Sequence, residues 1–291
     1  MTRVVGAIEI GGSHVSAGRV DVKGARVVAP GVKRSDVPPR AGRDELLDVL
    51  AQTARSVADA DIEVWGVATP GPFDYDRGVS RIRGLGKLES LYGTDVRSSL
   101  ARAVEVAPER VRFLNDAHAF GLGESRAGAA RGHERAMCVT LGTGLGSAFL
   151  VHGDLVTTGP GLPPAARLDL VPFRGGTAED VISARGIRAS YGEGVDVAEI
   201  ARRARGGERR ASDALRGFGS ALGELLEPWI ESFLPDALVF GGRVARAWDL
   251  FGDALVASSR RAARLERCGP AELLEEAPLI GAALYAEDSP G

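Results

Sequence analysis

A strand, a glycine turn and a second strand follow one another twice in this chain, and this pattern limits the possible folds more than any other feature of the sequence. The first copy has apolar runs at Val4–Ile10 and His14–Val20 on either side of Gly11-Gly12. The second has Arg135–Leu141 and Ser147–Val151 around a loop with three glycines. Short apolar runs bounded by glycine predict buried strands and tight turns. The repetition predicts two related halves, each completed later in the chain by helices.

The chain is long enough for two compact lobes. It has 291 residues, of which 44% are hydrophobic, and single hydrophobic cores stop growing at about 250–300 residues. We expect an α/β protein with a small lobe of residues 1–115 plus a C-terminal helix at 273–291, and a large lobe of residues 116–272. No long linker separates the halves, so we expect them to pack around a cleft.

Composition excludes several classes of partner. The net charge is −3 without any basic stripe, which argues against a nucleic-acid partner. The cysteines, Cys138 and Cys268, stand far apart and indicate separate thiols in a reducing cytoplasm. The first residues lack the long apolar region of a signal peptide, and no uncharged apolar run could span a bilayer. We expect a soluble, cytoplasmic protein with no membrane partner.

Three glycine segments have the composition of anion-binding loops. Gly11-Gly12-Ser13 follows Glu9, a carboxylate that could hold Mg²⁺ at bound phosphates. The spacing of Gly142-Thr143-Gly144 and Gly146 favours a phosphate cradle over a structural hairpin. Gly241-Gly242 follows a strand at Ala237–Phe240, and it suits either a nucleotide contact or an ordinary turn into a helix. The chain contains no Walker A motif, dinucleotide fingerprint or protein-kinase catalytic loop.

Asn115-Asp116 stands between a predicted strand, Val111–Leu114, and a predicted helix, Ala117–Ala127. Aspartate is a favoured residue at helix starts, so the pair alone favours a helix cap. A carboxylate at a strand end can also accept a proton from a hydroxyl group while its neighbour orients the acceptor. The surrounding motifs decide between these two interpretations.

The motifs occur in one order that resembles the ROK (repressor, open reading frame, kinase) family of sugar kinases. The most specific segments are Leu114–Glu124, with Asn-Asp-Ala-His, and Thr140–Gly146, with Gly-Thr-Gly-Leu-Gly. The resemblance runs from Val4 to about Tyr285. It implies an actin-like, ribonuclease-H-like fold of two lobes with the active site in the cleft between them. It also implies ATP and Mg²⁺ as cofactors, a small-molecule sugar or cyclitol as substrate, and a homodimer.

The resemblance implies a role for each matching position. Asp116 would be the catalytic base, and Glu9 would support Mg²⁺. The sugar would meet Asn115 and the loop that contains Thr69, Pro70 and Gly71. The nucleotide would be bound by glycines and hydroxyl residues of the three loops: Gly11, Gly12, Ser13, Gly142, Thr143, Gly144, Gly146, Gly241 and Gly242.

This chain departs from the family pattern in three places. Glu9 and Ser13 replace the usual aspartate and threonine, with the same functional groups. The segment Gly161–Gly176 lacks both the Glu-x-Gly-His motif and the cysteine-rich loop, which predicts that no zinc site is present. Gly84 replaces a sugar-binding asparagine, and Lys87, Asp169 and Glu179 are candidates to meet an altered ring. We therefore expect phosphorylation of the exocyclic hydroxymethyl group of a modified hexose, such as an aminosugar, or of a cyclitol rather than of plain glucose.

Two other functions are possible for a chain with this pattern. A ROK repressor would need a helix-turn-helix before the first loop, and only eight residues precede Glu9. A catalytically weak sugar-binding or regulatory protein would explain the missing Glu-x-Gly-His motif. The intact glycine loops and Asp116 favour the kinase.

Overall fold

A computed structural model describes residues 3–38, 40–84, 86 and 88–288. The chain divides into two compact units, Met1–Ala127 with Glu275–Gly291, and Gly128–Leu274. The first unit contains β1 Val4–Ile10, β2 His14–Asp21, β3 Arg26–Asp36, α1 Arg43–Arg55, β4 Trp65–Thr69, β5 Phe73–Asp74, β6 Val79–Ser80, α2 Val96–Ala103, β7 Val111–Asn115, α3 Asp116–Ala127 and, at the end of the chain, α10 Ala277–Asp288.

The second unit holds the remaining elements. They are β8 Arg135–Leu141, β9 Leu145–Val151, β10 Asp154–Leu155, β11 Pro172–Phe173, β12 Gly176–Thr177, α4 Ala178–Val181, α5 Ala184–Tyr191, α6 Val197–Arg205, α7 Arg209–Phe233, β13 Ala237–Gly241, α8 Gly242–Ala245, α9 Trp248–Ser258 and β14 Arg267–Pro270. The predicted strands Val4–Ile10 and Arg135–Leu141 are confirmed to the residue.

The sheet of the first unit has the order β3-β2-β1-β4-β7. β1 pairs antiparallel with β2 and parallel with β4, which pairs parallel with β7. Parallel strands end at the same edge of a sheet, and the register sets Glu9 opposite Ala68 and Thr69 opposite Asn115. Residues far apart in the sequence therefore meet at the carboxyl edge of this sheet.

Helix α3 belongs to the first unit, whereas the sequence placed the lobe boundary before it, at residue 116. Close packing against α10 explains the difference. A Cβ atom added to Gly281 would lie 1.8 Å from the Ala119 carbonyl oxygen, and one added to Gly123 would lie 2.1 Å from that of Ala277. These glycines let the two helix backbones touch, which no local pattern at residue 116 signals.

The sheet of the second unit has the order β10-β9-β8-β13-β14, with β8, β13 and β14 parallel. Its core is built largely by α7 and α9, where Phe218 packs edge-on against Phe251 at 5.3 Å between ring centroids. β8 and β13 pair as neighbours, with Gly241 opposite Thr140. Loops that follow these two strands therefore begin side by side. None of the helices in the described part of the chain combines the length and apolarity needed to cross a membrane.

Candidate active site

Two carboxylates meet at the carboxyl edge of the first sheet. Glu9 is the next-to-last residue of β1, and Asp116 opens α3 directly after β7. The pKa of Asp116 is raised from 3.8 to about 6, chiefly by burial of its carboxyl group and in part by the negative charge of Glu9, against hydrogen bonds that lower it. A carboxylate with a pKa close to the working pH is suited to general-base chemistry.

Asn115 shares the start of α3 with Asp116. Its Oδ1 accepts from the backbone N–H groups of Ala117, at 3.0 Å, and His118, at 3.3 Å. The Oδ1 of Asp116 accepts from Ala117 N–H at 2.9 Å. Asn115 therefore supplies the main cap of the helix. Capping alone does not explain why an aspartate stands at position 116.

The loop between β1 and β2 is a tight turn. The Gly11 N–H donates to the His14 carbonyl at 2.9 Å, and a hydrogen bond of 3.4 Å joins Ser13 Oγ to His14 Nδ1. His14 Nε2 also lies 3.8 Å from Glu9 Oε2. His14 is not among the site residues predicted from the sequence, although it follows Gly11-Gly12-Ser13 directly and opens β2.

The loop after β4 carries the other residues predicted to meet the sugar. Thr69 is buried, whereas Pro70 and Gly71 are half-buried. The Tyr75 hydroxyl donates to the Thr69 carbonyl and accepts from Asn115 Nδ2, each at 3.3 Å. Tyr75 is likewise not among the site residues predicted from the sequence, because no local motif links it to Asn115. Among the described residues of the first unit, the structure thus brings Asn115 and Asp116 next to the segment Thr69–Gly71.

The second glycine loop lies between β8 and β9. The Gly142 N–H donates to the Gly144 carbonyl at 3.0 Å, and the Gly142 carbonyl accepts from Ala184 N–H at 2.9 Å. A Cβ atom on Gly142 would meet no atom within 4 Å, so one side of this backbone is open to a ligand. Gly146 lies inside β9, opposite Thr140, rather than in the loop.

Gly241 and Gly242 stand where β13 passes into α8. Gly242 has φ +83°, and a Cβ atom there would lie 2.3 Å from the Leu141 carbonyl oxygen. The close approach explains why a glycine occupies this position. Because β8 and β13 are parallel neighbours, Gly242 and the loop of Gly142–Gly144 share one sheet edge, where α/β proteins bind ligands.

The acidic candidates of the second unit are already engaged. Glu179 Oε2 accepts from Leu145 N–H at 3.1 Å, so this carboxylate lies against the second glycine loop. Asp169 is buried and forms a two-point ion pair with Arg167, whose Nε donates to Oδ1 at 2.8 Å. Asp169 as a residue that meets an altered ring stays a prediction, and its carboxylate already has a cationic partner in Arg167.

The remaining candidates lie in the loop that contains Gly84. This glycine has φ +71°, and a Cβ atom there would meet no atom within 4 Å. Lys87 lies outside the described residues.

The described side chains offer no group of three or more His, Cys, Asp or Glu residues that could hold a metal ion. Mg²⁺ is commonly held by one or two carboxylates together with substrate phosphates. Glu9, beside the Gly11 turn, fits that need. The open side of Gly142 fits the approach of a phosphate group.

Comparisons with known proteins bear on the family of this chain. The ROK family model matches residues 5–289. The chain is 28% identical to the glucokinase of Thermotoga maritima over 273 residues, and 26% identical to the N-acetyl-D-glucosamine kinase of Pectobacterium carotovorum over 265 residues, with 84% of each chain covered in both alignments.

The fold is shared with a solved structure. The crystal structure of a ROK family glucokinase from Streptomyces griseus, in complex with glucose and AMPPNP, superposes with a TM-score of 0.78 at 23% identity, over 98% of this chain and 100% of that one. This confirms the predicted two-lobed, actin-like α/β fold. The family match, which spans nearly the whole length, and the glycine loops with Asn115-Asp116 lead to one conclusion: the chain belongs to the ROK family.

Proposed function

We propose that this protein, an ATP-dependent carbohydrate kinase by its relatives, transfers the γ-phosphoryl group of ATP to the exocyclic hydroxymethyl group of a modified hexose or a sugar-like cyclitol. The observation that carries the proposal is the state of Asp116. Its carboxyl group has a pKa raised to about 6 and adjoins Asn115 at the sheet edge. Near neutral pH it is ionised and still basic enough to take a hydroxyl proton.

The first unit would bind and orient the acceptor. Asn115 and the loop of Thr69–Gly71 hold it, while Asp116 accepts the proton of the reacting hydroxyl group. The negative charge of Glu9 favours the protonated form of Asp116 and so strengthens it as a base. Most of the rate enhancement in phosphoryl transfer comes from such positioning and from electrostatic stabilisation.

The second unit would bind the nucleotide. The phosphates would approach the loop of Gly142–Gly144 from the open side of Gly142, and Gly242 stands at the neighbouring strand end. A bound Mg²⁺ ion would neutralise part of the negative charge on the phosphates. Glu9 is the residue that would hold it.

The pairing of Arg167 with Asp169 supports an acceptor other than glucose. It lies in the segment where Glu-x-Gly-His, which contacts ring hydroxyls in family glucokinases, is missing. A site built to pair a particular hydroxyl group rejects substrates that lack it. Because Asp169 is neutralised by Arg167, we favour an uncharged altered ring, such as an N-acylated aminosugar or a cyclitol, over a free amine.

A coupled ADP-release screen tests the proposal. The panel contains glucose, mannose, fructose, glucosamine, 3-amino-3-deoxyglucose, N-acetylglucosamine and a C7-cyclitol. We expect one of the altered rings to give the highest kcat/KM. If glucose gives the highest value, the acceptor class is wrong. If no compound raises the rate of ADP release above the rate measured without an acceptor, the kinase proposal is wrong.

The second candidate is a catalytically weak ROK protein that binds a sugar for regulation, which the missing Glu-x-Gly-His motif favours. It predicts that a sugar of the panel raises the melting temperature without ADP release. A cytoplasmic homodimer is a further proposal from the family resemblance, and sedimentation of the purified protein tests its dimeric state.

A further inference from the structure

One hydroxyl group connects the two segments of the first unit that we propose hold the acceptor. Tyr75 lies just beyond the Thr69–Pro72 loop, and its hydroxyl bonds to the Thr69 carbonyl and to Asn115 Nδ2, each at 3.3 Å. The ring of Tyr75 packs on Phe73 at 5.4 Å between centroids, and Phe73 stacks on Phe113 at 5.1 Å. Ring packing therefore fixes the position of the Tyr75 side chain and, with it, of its hydroxyl group.

The contacts of Asn115 determine which way its carboxamide faces. The backbone N–H groups of Ala117 and His118 both need an acceptor, and Asn115 Oδ1 takes both at 3.0 and 3.3 Å. A carboxamide oxygen has two acceptor positions, and its nitrogen has two N–H donors. The oxygen is thus fully used by the helix start. One N–H is used by Tyr75. The other serves the Asp116 carboxylate, to which the Asn115 side chain also hydrogen-bonds, and it is the donor that a substrate oxygen seated between Asn115 and Asp116 would receive.

We propose that Tyr75 is a positioning residue that holds Asn115 as a hydrogen-bond donor to the acceptor sugar. The inference rests on the proposed function and adds a rule of specificity to it. The acceptor must present an oxygen lone pair to Asn115, as a ring hydroxyl group does. A protonated amine has donors and no acceptor, so an amino group is excluded at that ring position.

The central variant is Tyr75→Phe, which keeps the ring packing and removes only the hydroxyl. It is compared with Asn115→Ala and with the double variant, using the best acceptor of the panel. We expect Tyr75→Phe to lower kcat/KM for the acceptor about tenfold, the size of one hydrogen bond, with KM for ATP changed less than about twofold. The double variant should be no worse than Asn115→Ala alone, because Tyr75 acts through Asn115.

Deoxy analogues supply a readout that a merely structural role would not change. Each analogue of the best acceptor lacks one ring hydroxyl group. For the one analogue that lacks the hydroxyl group facing Asn115, Tyr75→Phe and the wild type should have the same kcat/KM. Asn115→Asp is a second test, since aspartate can still accept at the helix start but cannot donate, and it should be as inactive as Asn115→Ala while remaining folded.

Tyr191→Phe is the matched control. The Tyr191 hydroxyl also has two partners, donating to Glu208 at 2.7 Å and accepting from Arg203 at 2.8 Å, but it belongs to the helices of the second unit. Its loss should leave the kinetics unchanged. Any of three results would overturn the inference. These are normal kinetics in Tyr75→Phe, an effect of Tyr75→Phe that adds to that of Asn115→Ala, and an equal loss of kcat/KM with every analogue. If the wild-type protein phosphorylates no acceptor at all, the proposed function itself fails, and the inference fails with it.

Discussion

Asn115 and Asp116 share one backbone donor. The Ala117 N–H lies 3.0 Å from Asn115 Oδ1 and 2.9 Å from Asp116 Oδ1, and the His118 N–H donates to Asn115 Oδ1 at 3.3 Å. Capping of α3 therefore does not depend on Asp116. Its pKa is raised to about 6 even though this hydrogen bond lowers it, which means that burial outweighs the helix start.

The first prediction is that Asp116→Asn abolishes phosphoryl transfer while the fold and ATP binding persist. Removal of a general base costs about 10²–10⁴-fold in rate, and Asn115 still caps the helix. Steady-state kinetics and thermal melting measure both effects. Asp95→Asn is the control, because Asp95 caps α2 by accepting from Ser98 N–H at 2.9 Å and asparagine caps equally well. Near-normal turnover in Asp116→Asn would refute the base assignment.

The second prediction concerns pH. Asp116 must be ionised to act as base, so kcat/KM should fall as pH drops below about 6. The stability of the fold should instead be higher at low pH. The carboxyl group of Asp116 binds its proton more tightly in the folded protein than in the unfolded chain. The free energy of unfolding should fall as pH rises from 3.8 to about 6, by at most about 3 kcal/mol at about 1.4 kcal/mol per pKa unit.

Urea unfolding at several pH values, for the wild type and Asp116→Asn, checks this dependence. The variant cannot ionise at this position, so this component of the pH dependence should be absent from it. Identical curves for the two proteins would show that the pKa of Asp116 is not raised in the folded state.

The third prediction assigns Glu9 to Mg²⁺ support. Glu9→Gln should lose activity that raised Mg²⁺ partly restores, since mass action fills a weakened site. Glu9→Asp is the matched variant, because it keeps the carboxylate and matches the residue usual in the family. It should keep most of the activity. A loss in Glu9→Gln that does not depend on Mg²⁺ concentration would contradict the assignment.

The fourth prediction tests the nucleotide loop. A methyl group on Gly142 meets no protein atom within 4 Å, so Gly142→Ala should fold normally but obstruct the phosphate, and the KM for ATP should rise about tenfold or more. Gly217→Ala is the control, because Gly217 in α7 is also open on that side and alanine favours a helix. An unchanged KM for ATP in Gly142→Ala would exclude this loop from the phosphate site.

The fifth prediction is that the protein folds and works without zinc. Cys138 lies on β8 and Cys268 on β14, and no histidine follows His152 in the sequence. Phenanthroline in the presence of excess Mg²⁺ should leave activity intact, and elemental analysis should find substoichiometric zinc. Stoichiometric zinc, with activity lost to the chelator and regained only with zinc, would overturn this expectation.

Features that depend on neighbouring residues can be predicted from the sequence. Val4–Ile10 and Arg135–Leu141 were predicted to the residue because an apolar run that ends at glycine carries its signal locally. The same holds for Asn115-Asp116 at a strand end, since the strand, the polar pair and the helix follow one another directly. The family resemblance came from the order of such local motifs.

Features that depend on strand register and helix packing become visible only in the folded structure. The bond between Asn115 and Tyr75 spans 40 residues, and it exists because β4 and β7 end side by side. The raised pKa of Asp116 requires burial and the approach of Glu9 from another strand. Likewise, α3 joined the first unit through glycine contacts with α10. Side-chain orientation and burial arise from contacts between distant segments, which no single stretch of sequence encodes.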